Sequence, residues 1–154
     1  MMEPKSRSDK DMKGLAKIAA QQLSDPKGPS VAIFDIGGFD THADQGGDNG
    51  EHAKKLKQFD DVIGTLRKYM GKKFNNTIIA SLTEFGRTIS QNGGSGTEHG
   101  YGTAILMAGG LLPKSKIIGD WPGLEKKNLF EGRDLDSSID ARAVYASILA
   151  RVLD

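Results

Sequence analysis

Between Thr77 and Gly102 the chain changes character in a way that limits what it can build. Thr77-Ile78-Ile79-Ala80 is apolar and rich in β-branched residues, which predicts a buried strand over 77–82. Six glycines follow, at Gly86, Gly93, Gly94, Gly96, Gly100 and Gly102. Their backbone freedom argues against a helix through Gln91 to Gly102. The same stretch carries Glu84, Arg87, Glu98 and His99. A buried strand that opens into a glycine-rich loop with an acid, a base and a cation is a common way for α/β proteins to build a site. The plainer reading is a polar surface loop with incidental charges.

The flanking segments supply the frame. Residues 1–13 are expected to be a frayed or disordered N-terminus, ahead of a single α/β domain over 14–154. Met12, Leu15, Ala16, Ala19, Ala20 and Leu23 recur at helical spacing, so a helix runs from about 9 to 24. Ser8 with Asp11 resembles a capping box at its start, and Asp25-Pro26-Lys27-Gly28-Pro29 stops it. Val31 to Ile36 is a short apolar run broken by Asp35, read as a buried strand ended by Gly37-Gly38. Glu51 to Met70 is the clearest helix, with Leu56, Phe59, Ile63, Leu66 and Met70 as its stripe and Gly71 at its end. Ala104 to Ala108 reads as a third strand and Lys116 to Gly119 as a short fourth. Asp120 to Leu124 reads as a turn around an anchored Trp121. A last helix starts at Ser137 or Ser138, with Val144, Tyr145, Ile148, Leu149 and Val152 as its apolar face. Strands joined by helical crossovers predict a three-layer α/β fold with a mostly parallel sheet.

Composition excludes several roles. Lys plus Arg number 21 and Asp plus Glu 20, and aromatics are 6%. That balance disfavours a nucleic-acid or membrane-surface partner. The absence of cysteine removes disulfides, thiolate metal sites and thiol nucleophiles. The first residues have no apolar core of a signal peptide, and no run reaches the ~18–20 apolar residues of a membrane span.

In a parallel sheet the strand C-terminal ends share one edge, where α/β ligands bind. The loop after Ile36 carries Asp40 and His42; the loops after Leu82 carry Glu84, Arg87, Glu98 and His99. Asp40, His42, Glu84 and His99 suit a divalent metal such as zinc, manganese or iron. Such a metal polarises a phosphoryl or sulfuryl oxygen or lowers the pKa of water. Arg87 is placed to clamp a small anionic ester. Glu98 is a further ligand, a general base, or the carboxylate that orients an imidazole. Against this, Asp40-Thr41-His42 is also a turn, and Glu84 with Arg87 is also a structural ion pair. His52 opens the long helix, where capping or solvent exposure is the simpler role. Gly109-Gly110-Leu111-Leu112-Pro113-Lys114-Ser115 lacks two glycines of a phosphate-binding loop and is rejected as one.

The motifs Gly38-Phe39-Asp40-Thr41-His42, Glu84-Phe85-Gly86-Arg87-Thr88, Gly96-Thr97-Glu98-His99-Gly100 and Gly119-Asp120-Trp121-Pro122 occur in this order. With Asp140-Ala141-Arg142-Ala143-Val144 they resemble the bacterial family catalogued as domain of unknown function 1501. The match covers most of the chain from about residue 14. The family resembles a remote branch of the alkaline phosphatase and sulfatase superfamily, which implies a partial alkaline-phosphatase-like domain. The resemblance points to the same Asp40, His42, Glu84 and His99 as metal ligands and implies hydrolysis of phosphate or sulfate esters. It also implies export by the twin-arginine route.

Two departures qualify the resemblance. Glu98-His99-Gly100 stands where the family usually has Asp-His-Gly, and Glu84-Phe85-Gly86 stands where the superfamily commonly has Asp-His-Gly. The chain also resembles the C-terminal portion of longer members, without the part that carries the superfamily's nucleophile. The sequence therefore predicts a metal-dependent ester hydrolase, incomplete in this chain, that pairs with a missing N-terminal part or with itself. The alternative is a non-catalytic fragment or interaction domain retaining the fold.

Overall fold

The computed structural model describes residues 12–153. Helix α1 (Met12–Ser24) and helix α2 (Glu51–Met70) pack together and form the core. The Ser8–Asp11 capping box and most of the segment 1–13 lie outside the described residues. On α1 the buried positions are Met12, Ala16 and Ala20; on α2 they are Val62, Leu66 and Met70. Both sets recur every four residues, so one ridge of each helix faces the other. Alanine at 16 and 20 puts only a methyl group between the helices. Phe34, Ile36, Phe74 and Ile79 close over this seam from the flanking segments. Lys13 and Asp61 pair across it at 3.0 Å, an exposed contact that contributes little.

The predicted stripe on α2 is thus rotated. Leu66 and Met70 are in the core, but Leu56 is 46% exposed and Val62 takes the inward place. Leu66→Ala is expected to cost about 2–5 kcal/mol, the range for a buried leucine. Leu56→Ala should cost no more than about 1 kcal/mol. Urea unfolding of the two variants checks this; equal losses would mean that the α1–α2 seam is not the core.

Gly71 follows α2 with φ +53, and the chain continues through a 3-10 turn at Gly71–Asn76. Four short strands come next: β1 (Ile79–Ala80), β2 (Gly86–Arg87), β3 (His99–Gly100) and β4 (Met107–Ala108). β1 pairs antiparallel with β4, and β2 pairs antiparallel with β3. Helix α3 (Ala141–Leu153) closes the described chain.

This corrects the expected three-layer α/β, mostly parallel, partial alkaline-phosphatase-like fold. The described residues are mostly helical, with two two-stranded antiparallel sheets and no parallel pair. The reason lies in the connection. Residues 81–106 turn back on themselves, so β4 returns against β1 from the opposite direction, extended by Ser81 N–H donating to Leu106 O at 2.9 Å. The run 31–36 joins neither sheet, and Ile33 is 89% exposed. A continuous apolar run specifies burial only when a partner strand or helix covers it; here only Phe34 and Ile36 find one. The predicted fourth strand fails likewise: Ile117 is 99% exposed. Trp121 is exposed rather than anchored.

The last helix starts later than the serines suggested. Asp140 is its cap, its carboxylate accepting the N–H of Arg142 at 2.9 Å. None of its described residues is buried, though Tyr145 donates its hydroxyl to Ser81 O at 2.8 Å and so ties α3 to the end of β1.

Candidate metal centre

The hairpin β2–β3 builds one wall. Its register sets Gly86 opposite Gly100 and Arg87 opposite His99. A Cβ on Gly86 would lie 1.8 Å from Gly102 O, so the strands approach this closely only because residue 86 has no side chain. Thr88 N–H donates to Glu98 O at 3.0 Å, and Glu98 N–H to Thr88 Oγ1 at 3.1 Å, continuing the pairing one residue further. Phe85 stacks flat on His99, with ring centres 3.6 Å apart and planes 11° from parallel. The imidazole of His99 is therefore held by its own hairpin.

The loop after the apolar run 31–36 builds the other wall. Asp44 N–H donates to Gly94 O at 2.9 Å, Gln45 N–H to Ser95 O at 3.0 Å, and Thr97 N–H to Thr41 O at 3.2 Å. These bonds lay 41–45 against the glycine loop. Asp44 and Ser95 have φ of +46 and +61, a region that costs a non-glycine residue about 1–3 kcal/mol. That strain sits in the two segments that bring the site together.

The result is a convergent cluster. His42 Nε2 lies 2.9 Å from Asp40 Oδ1, His99 Nε2 lies 3.0 Å from the same oxygen, and the two Nε2 atoms are 3.2 Å apart. Arg87 donates to Asp40 Oδ1 at 2.5 Å, and its other nitrogens donate to Thr97 Oγ1 at 2.9 Å and Thr97 O at 2.5 Å. On the far side of His42, Nδ1 is 2.8 Å from Glu98 Oε2. The side chains of Asp40, His42 and His99 are each about half exposed, so the cluster opens to solvent.

Electrostatics hold both carboxylates ionised. The hydrogen bond from Arg87 keeps the Asp40 carboxyl below its usual range; burial opposes it, and His99 and His42 add smaller effects in the lowering direction. The Asn92 amide does the same for Glu98, helped by His42. An ionised carboxylate only accepts, so the proton between Glu98 and His42 sits on Nδ1. Nε2 of a neutral His42 then presents a lone pair toward Asp40 Oδ1 and His99 Nε2. A proton on His99 Nε2 satisfies the contact with Asp40 Oδ1, and a cation bound among the three atoms would do the same.

Asp40, His42 and His99 form a group that can hold a metal ion. Ligands about 2.0–2.1 Å from a tetrahedral zinc stand about 3.3 Å from one another. The observed separations, 2.9 to 3.2 Å, need to open by only a few tenths of an ångström. The donors fit a divalent ion.

The other predicted residues are placed as follows. Glu98 contacts His42, not the neighbouring His99. Arg87 pairs with Asp40 rather than with Glu84. Glu84 is exposed and lies outside the convergent group. His52 packs edge-on against Phe39, with centres 5.7 Å apart, and its Nδ1 is buried without a partner. Burial, and then the charge of Arg87, lowers its pKa. Three further residues belong to the site. Gln45 Oε1 accepts from Thr41 Oγ1 at 2.9 Å and Thr97 Oγ1 at 2.8 Å. The sequence reading passed over Asn92, which the turn signal of Asn-Gly-Gly could have marked, whereas Gln45 and Thr97 carry no sequence signal for this role.

Residues 2–152 match the sequence family described as "Protein of unknown function (DUF1501)". The chain belongs to this family. No curated protein and no solved structure matches it significantly. Three of the motifs that carried the resemblance, Gly38 to His42, Glu84 to Thr88 and Gly96 to Gly100, fold into the centre; Gly119 to Pro122 and Asp140 to Val144 contribute no ligand to it.

Proposed function

We propose that the chain is a metal-dependent hydrolase of phosphate or sulfate esters, with Asp40, His42 and His99 holding a divalent zinc, manganese or iron ion. The observation that carries the reading is the convergence of Asp40 Oδ1, His42 Nε2 and His99 Nε2, three donor atoms close enough to share one cation. Two imidazoles with one carboxylate are a donor set of catalytic zinc and of non-haem iron. When bound, such an ion acts as a Lewis acid on a phosphoryl or sulfuryl oxygen.

The chain's own residues favour an anionic substrate. Asp40 and Glu98 set against Arg87 leave the cluster one negative charge when both imidazoles are neutral. A divalent ion turns this into one positive charge, the sign that attracts an ester anion. Arg87 keeps Asp40 ionised and turned toward the histidines, and its positive charge lies beside the cluster. Glu98 fixes the ring of His42 through Nδ1. The hydroxyls of Thr41 and Thr97 both donate to Gln45. Neither is set as a nucleophile. The family description leaves function open, so the reading rests on donor set and charge rather than on the superfamily.

The test is turnover of p-nitrophenyl phosphate and p-nitrophenyl sulfate with zinc, manganese or ferrous iron supplied in turn. Hydrolysis is expected with one of these ions, lost with chelator and lost in Asp40→Asn. Metal bound without turnover of either ester would remove the hydrolase and leave a metal-binding interaction domain.

A further inference from the structure

The side chain of Asn92 uses its whole hydrogen-bonding capacity at one point. Its Nδ2 donates to His42 O at 2.8 Å and to Glu98 Oε1 at 2.5 Å. Its Oδ1 accepts the N–H of Gly94 and of Gly96, each at 2.9 Å. An amide has two donors and two acceptor lone pairs, and here all four are engaged. The orientation is also unique. Turned over, the amide would set its oxygen against a carboxylate and a carbonyl, and its hydrogens against two N–H groups. No other residue combines this length with two donors and two acceptors: aspartate lacks the donors, and glutamine is a methylene too long.

What Asn92 joins is informative. Oδ1 shapes the glycine loop, and Nδ2 reaches out of that loop to the backbone of His42 and to the carboxylate that holds the ring of His42. Glu98 has its two oxygens divided, Oε1 to Asn92 and Oε2 to His42 Nδ1. With Oε1 fixed, Oε2 has one place to be, and Nδ1 keeps the proton. Nε2 is then left bare toward Asp40 and His99.

We propose that Asn92 is a positioning residue of the metal centre, acting through Glu98 to set the tautomer and orientation of His42. This rests on the metal-site reading. Outer partners of this kind typically change metal affinity about 10–100-fold.

The test uses the full chain, zinc ion as the probe and a competing chelator. Asn92→Asp keeps the acceptor for Gly94 and Gly96 but turns an oxygen on Glu98 and on His42 O, and zinc should bind about 10–100-fold more weakly. Glu98→Gln should show a loss of similar size. Because Asn92 acts through Glu98, the double variant should be no weaker than the weaker single one. Imidazole nitrogen NMR of the metal-free wild type should find the His42 proton on Nδ1, and Asn92→Asp should lose that bias. Additive losses, unchanged affinity in Asn92→Asp, or a wild-type His42 proton on Nε2 would each overturn the proposal. The last applies even if Asn92→Asp does not fold. A wild-type chain with the Nδ1 tautomer but no zinc would sink the metal reading instead, and the proposal with it.

Discussion

Replacing His99 with alanine is expected to abolish metal binding. Wild-type chain should take up about one zinc, manganese or iron ion, as the single three-donor group among the described residues implies. Removing His99 leaves one imidazole and one carboxylate, and the loss should exceed the ~10–100-fold typical of an outer partner. The alanine variant also removes the stack on Phe85, a contact of about 0.5–1.5 kcal/mol, so it could lose metal by loosening the hairpin. His99→Phe separates the two effects, since it keeps a ring against Phe85 and deletes only the nitrogen. Elemental mass spectrometry of the wild type and both variants should find metal in the first alone. Metal retained in His99→Phe would show that the imidazole is not a ligand and that the Asp40–His42–His99 contact is only a hydrogen-bonded cluster.

The same residues explain what the sequence could and could not convey. Asp40, His42 and His99 were legible because their types have few uses in a loop beside glycines, and because two of only three histidines fell there. The α2 helix was legible from its period, which any long amphipathic helix displays. The sheet was not. The reading placed the site residues on one edge of a parallel sheet, whereas a hairpin and a strapping loop bring them together. A run such as Val31 to Ile36 looks the same whether it pairs or lies open, because pairing depends on what a distant segment does. The proximity came out of local turn chemistry: Gly86 lets β2 approach β3, and Asn92 folds the glycine loop back toward His42. Glu98 was legible as a site residue but not as a partner of His42, because its contact spans 56 residues and leaves no periodic trace.

Gly96 is where this close approach is most exposed to test. It is buried between the glycine loop and the loop of His42. A Cβ there would stand 2.3 Å from His42 C, 2.4 Å from His42 O and 2.6 Å from Ala43 N. All three are backbone atoms, so no rotamer change relieves the clash and the loops must separate. Gly96→Ala is therefore expected to cost about 1–3 kcal/mol or more. Separation also moves His42 away from His99 and breaks the bond from Asn92 to His42 O, so zinc affinity should fall together with stability. Gly93→Ala, three residues earlier in the same loop, is the contrast. Its Cβ would meet nothing within 4 Å and its φ is not positive, so it should be neutral or stabilise by about 0.4–1 kcal/mol through the unfolded chain. Thermal unfolding and zinc titration of the two variants distinguish a loop that is merely glycine-rich from one whose glycines make room for the metal ligands. If Gly96→Ala melts and binds zinc as the wild type does, the two loops do not lie against each other, and the centre built from them is wrong.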